Sequence, residues 1–217
     1  MTNEQRFDAV FYDLDGTLID SVPIITLCFR KAYEDVLGRC TRTDADLMSY
    51  IGKPLSDTFP MHDRQTAERL VESYLKINQY YLDNDLLPEF PNIKEDILYI
   101  KSLGIKQGIV TSKRRDSASP TISFKHYDEI FDCFVFKEDT KRHKPLADPL
   151  LKAAADLELT DMSRILYVGD ALPDLLCAQN AGCPFALVKW TRMPENDFPD
   201  KGNMTLLERL KDIPCII

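Results

Sequence analysis

Two aspartates one residue apart, Asp13 and Asp15, end an aromatic and β-branched run in the stretch FYDLDGTLIDS. A buried carboxylate is costly unless it is paired, and like charges this close repel each other. The pair therefore either lies in solvent, as the turn preference of Asp and Gly allows, or holds a cation. A calcium loop is not indicated, because it needs Gly at its sixth position and Gly16 is fourth.

Further polar side chains stand just past later apolar runs or in a loop before a predicted helix. They are Thr111, Ser112, Lys113, Lys144, Asp170 and Asp174. Each one alone fits a solvated loop residue or a helix cap. Because ligands bind at the carboxyl ends of strands in open parallel sheets, we expect these groups to converge with the two aspartates. Carboxylates from separate segments can hold a hard cation such as Mg²⁺, which takes oxygen ligands.

The segments that position these groups begin with a strand, are helical from about residue 19 to residue 88, and alternate between strand and helix after it. The predicted strands are Phe7–Tyr12, Gln107–Thr111, Cys133–Phe136, 164–169 and 185–188. The predicted helices are Val22–Leu37, Asp44–Tyr50, Arg64–Tyr81, Ile93–Leu103, Pro120–Tyr127, Asp148–Leu157, Leu172–Ala181 and a last one that begins at the capping-box spacing of Thr205–Glu208.

Apolar strands that alternate with helices indicate a parallel sheet covered on both faces. We therefore predict an α/β fold with a Rossmann-like parallel sheet as its core, formed by residues 1–18 and 89–217. The helical block at 19–88 is predicted to be an inserted cap domain. The glycines form neither a dinucleotide-binding nor a P-loop motif.

Composition limits the classes of function. The 217 residues carry a net charge of −8, which argues against a general binder of nucleic acids or anionic membranes. Six cysteines without a C-x-x-C pair fit neither a zinc site nor a disulfide framework, so we expect reduced thiols. With no signal pattern and no apolar run of about 18 residues, we expect a cytoplasmic protein, and we expect a monomer.

Four motifs together resemble the haloacid dehalogenase superfamily in its phosphatase branch. They are DLDGT (Asp13–Thr17), VTSK (Val110–Lys113), HKP (His143–Pro145) and GDALPD (Gly169–Asp174). The helical block has the position of the α-helical cap of that family, and IGKPLSDTF (Ile51–Phe59) resembles the cap of phosphoglycolate phosphatases and pyrophosphatases. The resemblance implies a Mg²⁺-dependent phosphatase acting on a small phosphorylated metabolite, such as phosphoglycolate, a nucleotide or pyrophosphate.

The resemblance also implies a role for each motif residue. Asp13 would be the nucleophile that forms an aspartyl-phosphate, and Asp15 the general acid and then the base. Thr111 would hydrogen-bond the phosphoryl group, and Lys144 would neutralise its charge. The implied Mg²⁺ ligands are Asp13, the backbone carbonyl of Asp15, Asp170 and Asp174, the last directly or through water. The implied substrate-binding residues are Ser112, Lys113, Gly52 and Lys53.

Other functions stay open. A mutase of the β-phosphoglucomutase type carries a histidine on the first cap helix, and Ile19–Arg30 contains none. Phosphonatases, whose cap lysine Lys53 could represent, and dehalogenases both lack the second aspartate of the first motif, so Asp15 argues against them. A non-catalytic protein that binds a phosphorylated ligand is the third class. Thr191 stands where many relatives have Gly, a departure that bears on substrate detail.

Overall fold

The computed structural model describes residues 7–51, 55, 58–59, 61–192, 198 and 205–215. The chain forms two compact units, Met1–Asp20 with Glu89–Ile217, and Ser21–Pro88. The division falls at Asp20, whereas the predicted domain boundary follows residue 18.

The first unit contains a six-stranded parallel sheet. Its strands are β1 (Ala9–Tyr12), β2 (Lys106–Val110), β3 (Cys133–Val135), β4 (Ile165–Gly169), β5 (Phe185–Val188) and β6 (Thr205–Leu207). The strand order is β3-β2-β1-β4-β5-β6, and all neighbours run parallel. All residues of β1 and β4 are buried, as expected where helices cover both faces. The predicted α/β fold is confirmed.

Seven α-helices are described. They are α1 (Val22–Leu37), α2 (Asp44–Met48), α3 (Arg64–Asp83), α4 (Ile93–Ser102), α5 (Arg115–Phe124), α6 (Asp148–Asp156) and α7 (Leu172–Ala181). Short 3-10 turns lie at Tyr127–Glu129, Lys137–Asp139, Met162–Arg164 and Leu210–Cys215. As predicted, α1 ends before Gly38 and α7 before Gly182, and both glycines have the left-handed conformation that ends helices.

The predicted helix Pro120–Tyr127 is misplaced. The observed helix α5 begins at Arg115 and contains Pro120 in its interior. Its start is fixed by a distant contact, because the backbone N–H of Arg115 donates to Glu138 at 3.1 Å and its guanidinium pairs with Asp139 at 2.8 Å. Glu138 thus satisfies a helix-terminal N–H group, and Asp139 holds the side chain of the same residue; local sequence does not reveal either contact.

The predicted last helix is wrong in type. Thr205–Leu207 is the edge strand β6, paired in parallel with β5. The spacing of Thr205 and Glu208 resembles a capping box, but hydrogen bonds to a neighbouring strand, including one from Lys189 N–H to the carbonyl of Leu207 at 3.0 Å, decide the conformation.

The second unit has its own apolar core between α1 and α3, and α2 packs against α1. The Phe29 ring stacks on Tyr74 with ring centroids 4.3 Å apart, and Leu47 and Leu70 are fully buried beside them. The described residues of this unit are helical or irregular and contain no strand, as predicted.

Two expectations from composition can be compared with the structure. All six cysteines are free thiols, and Cys28, Cys133, Cys177 and Cys183 are buried. Among the helices described, none combines the length and the apolar character that crossing a bilayer requires.

Candidate active site

The site lies where the strand order reverses. β1 is central, with β2 on one side and β4 on the other. Asp13 follows β1, and its backbone N–H donates to the carbonyl of Val168 in β4 at 2.9 Å. Asp170 follows β4, and Thr111 follows β2. Parallel sheets bind ligands outside the carboxyl ends of strands at such a reversal, and three predicted site residues meet there.

The loop after β1 turns back at Gly16, whose φ of 85° is left-handed. The N–H of Gly16 donates to the carbonyl of Ile19 at 2.8 Å, and Ile19 N–H donates to Leu14 at 2.9 Å. A Cβ atom at position 16 would lie 2.2 Å from Oδ2 of Asp170. Conformation and space both require glycine, and the loop backbone packs directly against the Asp170 carboxylate.

Lys144 joins two of the acids. Its Nζ donates to Oδ1 of Asp13 at 2.7 Å and to Oδ1 of Asp174 at 2.8 Å. The side chain is only 3% exposed, and burial acts to lower the pKa of Lys144. The charges of Asp13 and Asp174 outweigh burial and raise this pKa, so the ammonium stays charged.

Asp13, Asp170 and Asp174 form a buried cluster in which one oxygen of each lies within 4.8 Å of the others. Burial raises the pKa of Asp13 to about 7; Lys144 opposes the rise, while Asp174 and Asp15 add to it. Burial likewise raises the pKa of Asp170 well above its usual value. The charged forms therefore lack sufficient counter-charge, which a cation between the acids would supply. An all-oxygen donor set suits Mg²⁺.

Asp174 is held by four hydrogen bonds. Its Oδ1 accepts from Lys144 and, at 3.0 Å, from the hydroxyl of Tyr167. Its Oδ2 accepts from the backbone N–H groups of Asp170 at 3.3 Å and Ala171 at 3.2 Å. Since each carboxylate oxygen has two lone pairs, all four acceptor positions of Asp174 are used.

Tyr167 was not among the residues predicted from the sequence. It is fully buried in β4, and its ring lies 5.2 Å from Nζ of Lys144. Its hydroxyl contacts both Asp174 and, at 3.2 Å, the carbonyl of Val110. A tyrosine in an otherwise aliphatic buried strand was the available signal, because a buried hydroxyl needs a polar partner.

Asp15 lies outside the carboxylate cluster found among the described residues. Its Oδ1 accepts a 3.0 Å hydrogen bond from Nζ of Lys113, and both side chains are largely buried. The backbone N–H of Lys113 donates to Oγ1 of Thr111 at 3.1 Å, which fixes that buried hydroxyl. Lys113, predicted to bind substrate, is thus already the partner of Asp15.

The other residues predicted to bind substrate are Ser112, Gly52 and Lys53. Ser112 is exposed directly after Thr111. Gly52 and Lys53 lie outside the described residues, so their predicted role stays a prediction.

The segment after β5 approaches the loop that follows β1. Thr191 Oγ1 donates to Oδ2 of Asp170 at 2.9 Å, and Nε1 of Trp190 donates to the carbonyl of Thr17 at 2.9 Å. Thr17 itself lies 3.5 Å from Oδ1 of Asp170. From the sequence, Thr191 was only a departure from the family pattern; its contact with Asp170 could not be predicted, because 21 residues separate the two.

Comparison with known proteins identifies the family of this chain. The family model of haloacid dehalogenase-like hydrolases matches residues 10–188. Pyrophosphatase PpaX of Bacillus cereus is 35% identical over 188 residues, which cover 86% of this chain and 85% of that protein.

Solved structures share the fold. A haloacid dehalogenase-like protein from Bacteroides fragilis superposes with a TM-score of 0.81 at 27% identity, covering 95% of this chain and 99% of that chain. A "predicted phosphoglycolate phosphatase" from Haemophilus somnus gives a TM-score of 0.84 over 98% and 99% of the two chains; at 22% identity it shows the fold alone. The chain belongs to the haloacid dehalogenase-like hydrolase family.

Proposed function

We propose that this protein is a Mg²⁺-dependent phosphatase that hydrolyses a small phosphomonoester or pyrophosphate through an aspartyl-phosphate on Asp13. The observation that carries the proposal is the buried Lys144 ammonium between Asp13 and Asp174, within a cluster of three carboxylates. Residues 21–88 would act as the cap that selects the substrate.

The class of enzyme follows from the family. The chain is a phosphatase, since it matches the hydrolase family over residues 10–188 and curated relatives at 34–36% identity are named as pyrophosphatases. Hydrolysis of phosphate monoesters is extremely slow without a catalyst, so the site has to supply both a nucleophile and charge stabilisation.

In the first step, a carboxylate oxygen of Asp13 bonds to phosphorus while the bond from phosphorus to the leaving oxygen breaks. Asp15 gives its proton to that oxygen, which departs as an alcohol or as phosphate. Lys144 neutralises negative charge next to Asp13, and the Thr111 hydroxyl donates to a phosphoryl oxygen. The 3.0 Å contact with Lys113 holds Asp15 in position before substrate enters.

In the second step, Asp15 takes a proton from water, and the water oxygen bonds to phosphorus. The bond between phosphorus and the Asp13 oxygen breaks, which releases phosphate and restores the carboxylate. Using one residue first as acid and then as base returns both aspartates to their starting states.

The residues that would hold Mg²⁺ are Asp13, Asp170 and the backbone carbonyl of Asp15. When bound, Mg²⁺ supplies positive charge that stabilises the charge developing on the phosphoryl oxygens. Because all four acceptor positions of Asp174 are used by protein donors, we propose that it supports the site by orienting Lys144 and does not bond to the ion directly.

The proposal also concerns which substrate the enzyme hydrolyses. Pyrophosphate is favoured by a curated relative named as a pyrophosphatase at 35% identity. The mutase and the non-catalytic binder predicted as alternatives are not favoured, because the curated relatives at 34–36% identity are named as pyrophosphatases. A cytoplasmic monomer that binds neither nucleic acids nor membranes stays a prediction.

A phosphometabolite panel tests the proposal. We expect the purified protein to release phosphate from pyrophosphate, phosphoglycolate or nucleoside monophosphates with Mg²⁺, and to lose this activity in EDTA. β-Glucose 1-phosphate belongs in the panel, and its conversion to the 6-phosphate would indicate a mutase instead. Binding of these compounds without turnover of any would favour the non-catalytic alternative.

A second prediction concerns Tyr167. Tyr167→Phe removes the hydroxyl that contacts Asp174, and we expect kcat to fall about tenfold and the Mg²⁺ requirement to rise, as is usual when groups behind a metal site are removed. Tyr12→Phe is the matched control, because that tyrosine is equally buried but its hydroxyl donates to Gln107 at 2.9 Å. Equal Mg²⁺ titrations for both variants and the wild type would contradict the prediction.

A further inference from the structure

Asp170 is contacted by both the loop after β1 and the segment after β5. Thr191 Oγ1 donates to its Oδ2 at 2.9 Å, and the backbone at Gly16 packs against the same oxygen. The Thr17 hydroxyl lies 3.5 Å from Oδ1, which is the outer limit of a hydrogen bond. The two oxygens of Asp170 are therefore unequal, since the protein holds Oδ2 more tightly than Oδ1.

The position of Thr191 is fixed from both sides. Trp190 donates from Nε1 to the carbonyl of Thr17 at 2.9 Å. Arg192 pairs with both carboxylate oxygens of Asp20, each at 2.6 Å. Two side chains, Trp190 and Arg192, thus tie the segment after β5 to the loop after β1, and Thr191 between them contacts Asp170 after β4. A hydroxyl held between two such anchors loses little freedom when it bonds to a carboxylate.

Mg²⁺ and Ca²⁺ differ in how carboxylates coordinate them. Ca²⁺ takes six to eight oxygen ligands and accepts both oxygens of one carboxylate, whereas Mg²⁺ demands a near-octahedral shell at shorter distances. A carboxylate oxygen that is already bonded to a hydroxyl is less able to turn toward an ion, and this restricts the carboxylate to its other oxygen.

We propose that Thr191 is a positioning residue that restricts Asp170 to binding through one oxygen and so makes the site favour Mg²⁺ over Ca²⁺. This inference rests on the proposed cation site. The hydroxyl that carries this role belongs to Thr191, which lies outside the four motifs at 13–17, 110–113, 143–145 and 169–174. The selectivity would then be a property of this chain's own residue and not of the shared motifs.

Divalent-ion binding to the full-length protein, without substrate, tests the inference. Isothermal titration with Mg²⁺ alone and with Ca²⁺ alone gives the ratio of the two affinities. For Thr191→Val we expect Mg²⁺ affinity to fall about tenfold, the usual effect of removing a group that orients a ligand, and Ca²⁺ affinity to stay within about twofold. Thr191→Ser keeps the hydroxyl and should restore the wild-type ratio.

Thr66→Val is the matched control. It also removes a threonine hydroxyl that donates to a carboxylate, Oδ2 of Asp63 at 2.7 Å, but this pair belongs to helix α3 of the other unit. The ratio of Mg²⁺ to Ca²⁺ affinity in Thr66→Val should equal that of the wild type. Thermal shifts with each ion provide a second measurement, because an ion that binds the folded state raises its stability by mass action.

The outcomes separate the two proposals. A wild-type protein that binds no Mg²⁺ overturns the cation site and this inference with it. A wild type that binds Mg²⁺, with an unchanged affinity ratio in Thr191→Val and in a second variant, Thr191→Ala, overturns only the role of Thr191. A lower ratio of Mg²⁺ to Ca²⁺ affinity in Thr191→Val and Thr191→Ala, together with the wild-type ratio in Thr191→Ser, supports the role of Thr191.

Discussion

Asp13→Asn is expected to lower kcat by on the order of 10⁴-fold or more, because the amide cannot bond to phosphorus as the carboxylate does. The substitution keeps the size and shape of the side chain. We expect the fold to survive, since Lys144 retains its second partner, Asp174, at 2.8 Å. Phosphate release, measured with the preferred substrate of the panel, gives the loss, and circular dichroism verifies the fold.

Asp8→Asn is the control for this substitution. Asp8 lies at the opposite end of β1 and pairs with Arg164 at 2.7 Å, so the same chemical change is made one strand length away. We expect its kcat to stay near that of the wild type. A covalent intermediate adds a direct measurement, since acid-quenched wild type should carry phosphate that hydroxylamine releases and Asp13→Asn should carry none. More than about a tenth of wild-type activity in a folded Asp13→Asn protein would remove Asp13 as nucleophile.

Lys144→Met is expected to lower both stability and activity. Lys144 is 3% exposed and lies between Asp13 and Asp174, whose side chains are 11% and 4% exposed. Removing the ammonium leaves two buried carboxylates facing each other, and breaking such an arrangement costs about 3 kcal/mol. Urea denaturation in EDTA measures the loss of unfolding free energy. Turnover should fall at least about 100-fold, since a fixed cation beside the nucleophile is lost.

Lys152→Met separates the effect of burial from the loss of a lysine. Lys152 also pairs with an aspartate, Asp156, but on the exposed surface of helix α6, and such pairs contribute at most about 1 kcal/mol. We expect Mg²⁺ to recover part of the stability lost in Lys144→Met, because a cation can replace some of the missing charge. Stabilities of the two variants that agree within about 1 kcal/mol would mean that Lys144 is not needed to balance the buried acids.

The fold could be predicted from sequence where local signals were strong. Helix α1 was predicted with its observed ends, because its apolar residues recur at helical spacing and Gly38 ends it. Both errors in the first unit arose where a contact with a distant segment decided the conformation. Helix α5 begins where Glu138 accepts its first N–H group, and Thr205–Leu207 became strand by pairing with β5.

In the candidate site too, some features could be predicted from the sequence and others depend on contacts between distant segments. The sequence by itself determined which residues stand at the carboxyl ends of strands. Strands β1, β2 and β4 each have only four or five residues, and a polar residue of the site follows each of them directly. That is enough to bring Asp13, Thr111 and Asp170 to one edge once the strands run parallel.

Only the tertiary structure decided which of these groups meet. Lys144 contacts Asp13 across 131 residues and Lys113 contacts Asp15 across 98, and both contacts depend on β1 being the central strand between β2 and β4. The alternation of strands and helices does not fix that order. The contacts of Thr191 with Asp170 likewise required the segment after β5 to return over the sheet edge. Sequence spacing gives the direction of each strand, whereas the neighbours of a side chain follow from strand order, which is set by packing of the whole sheet.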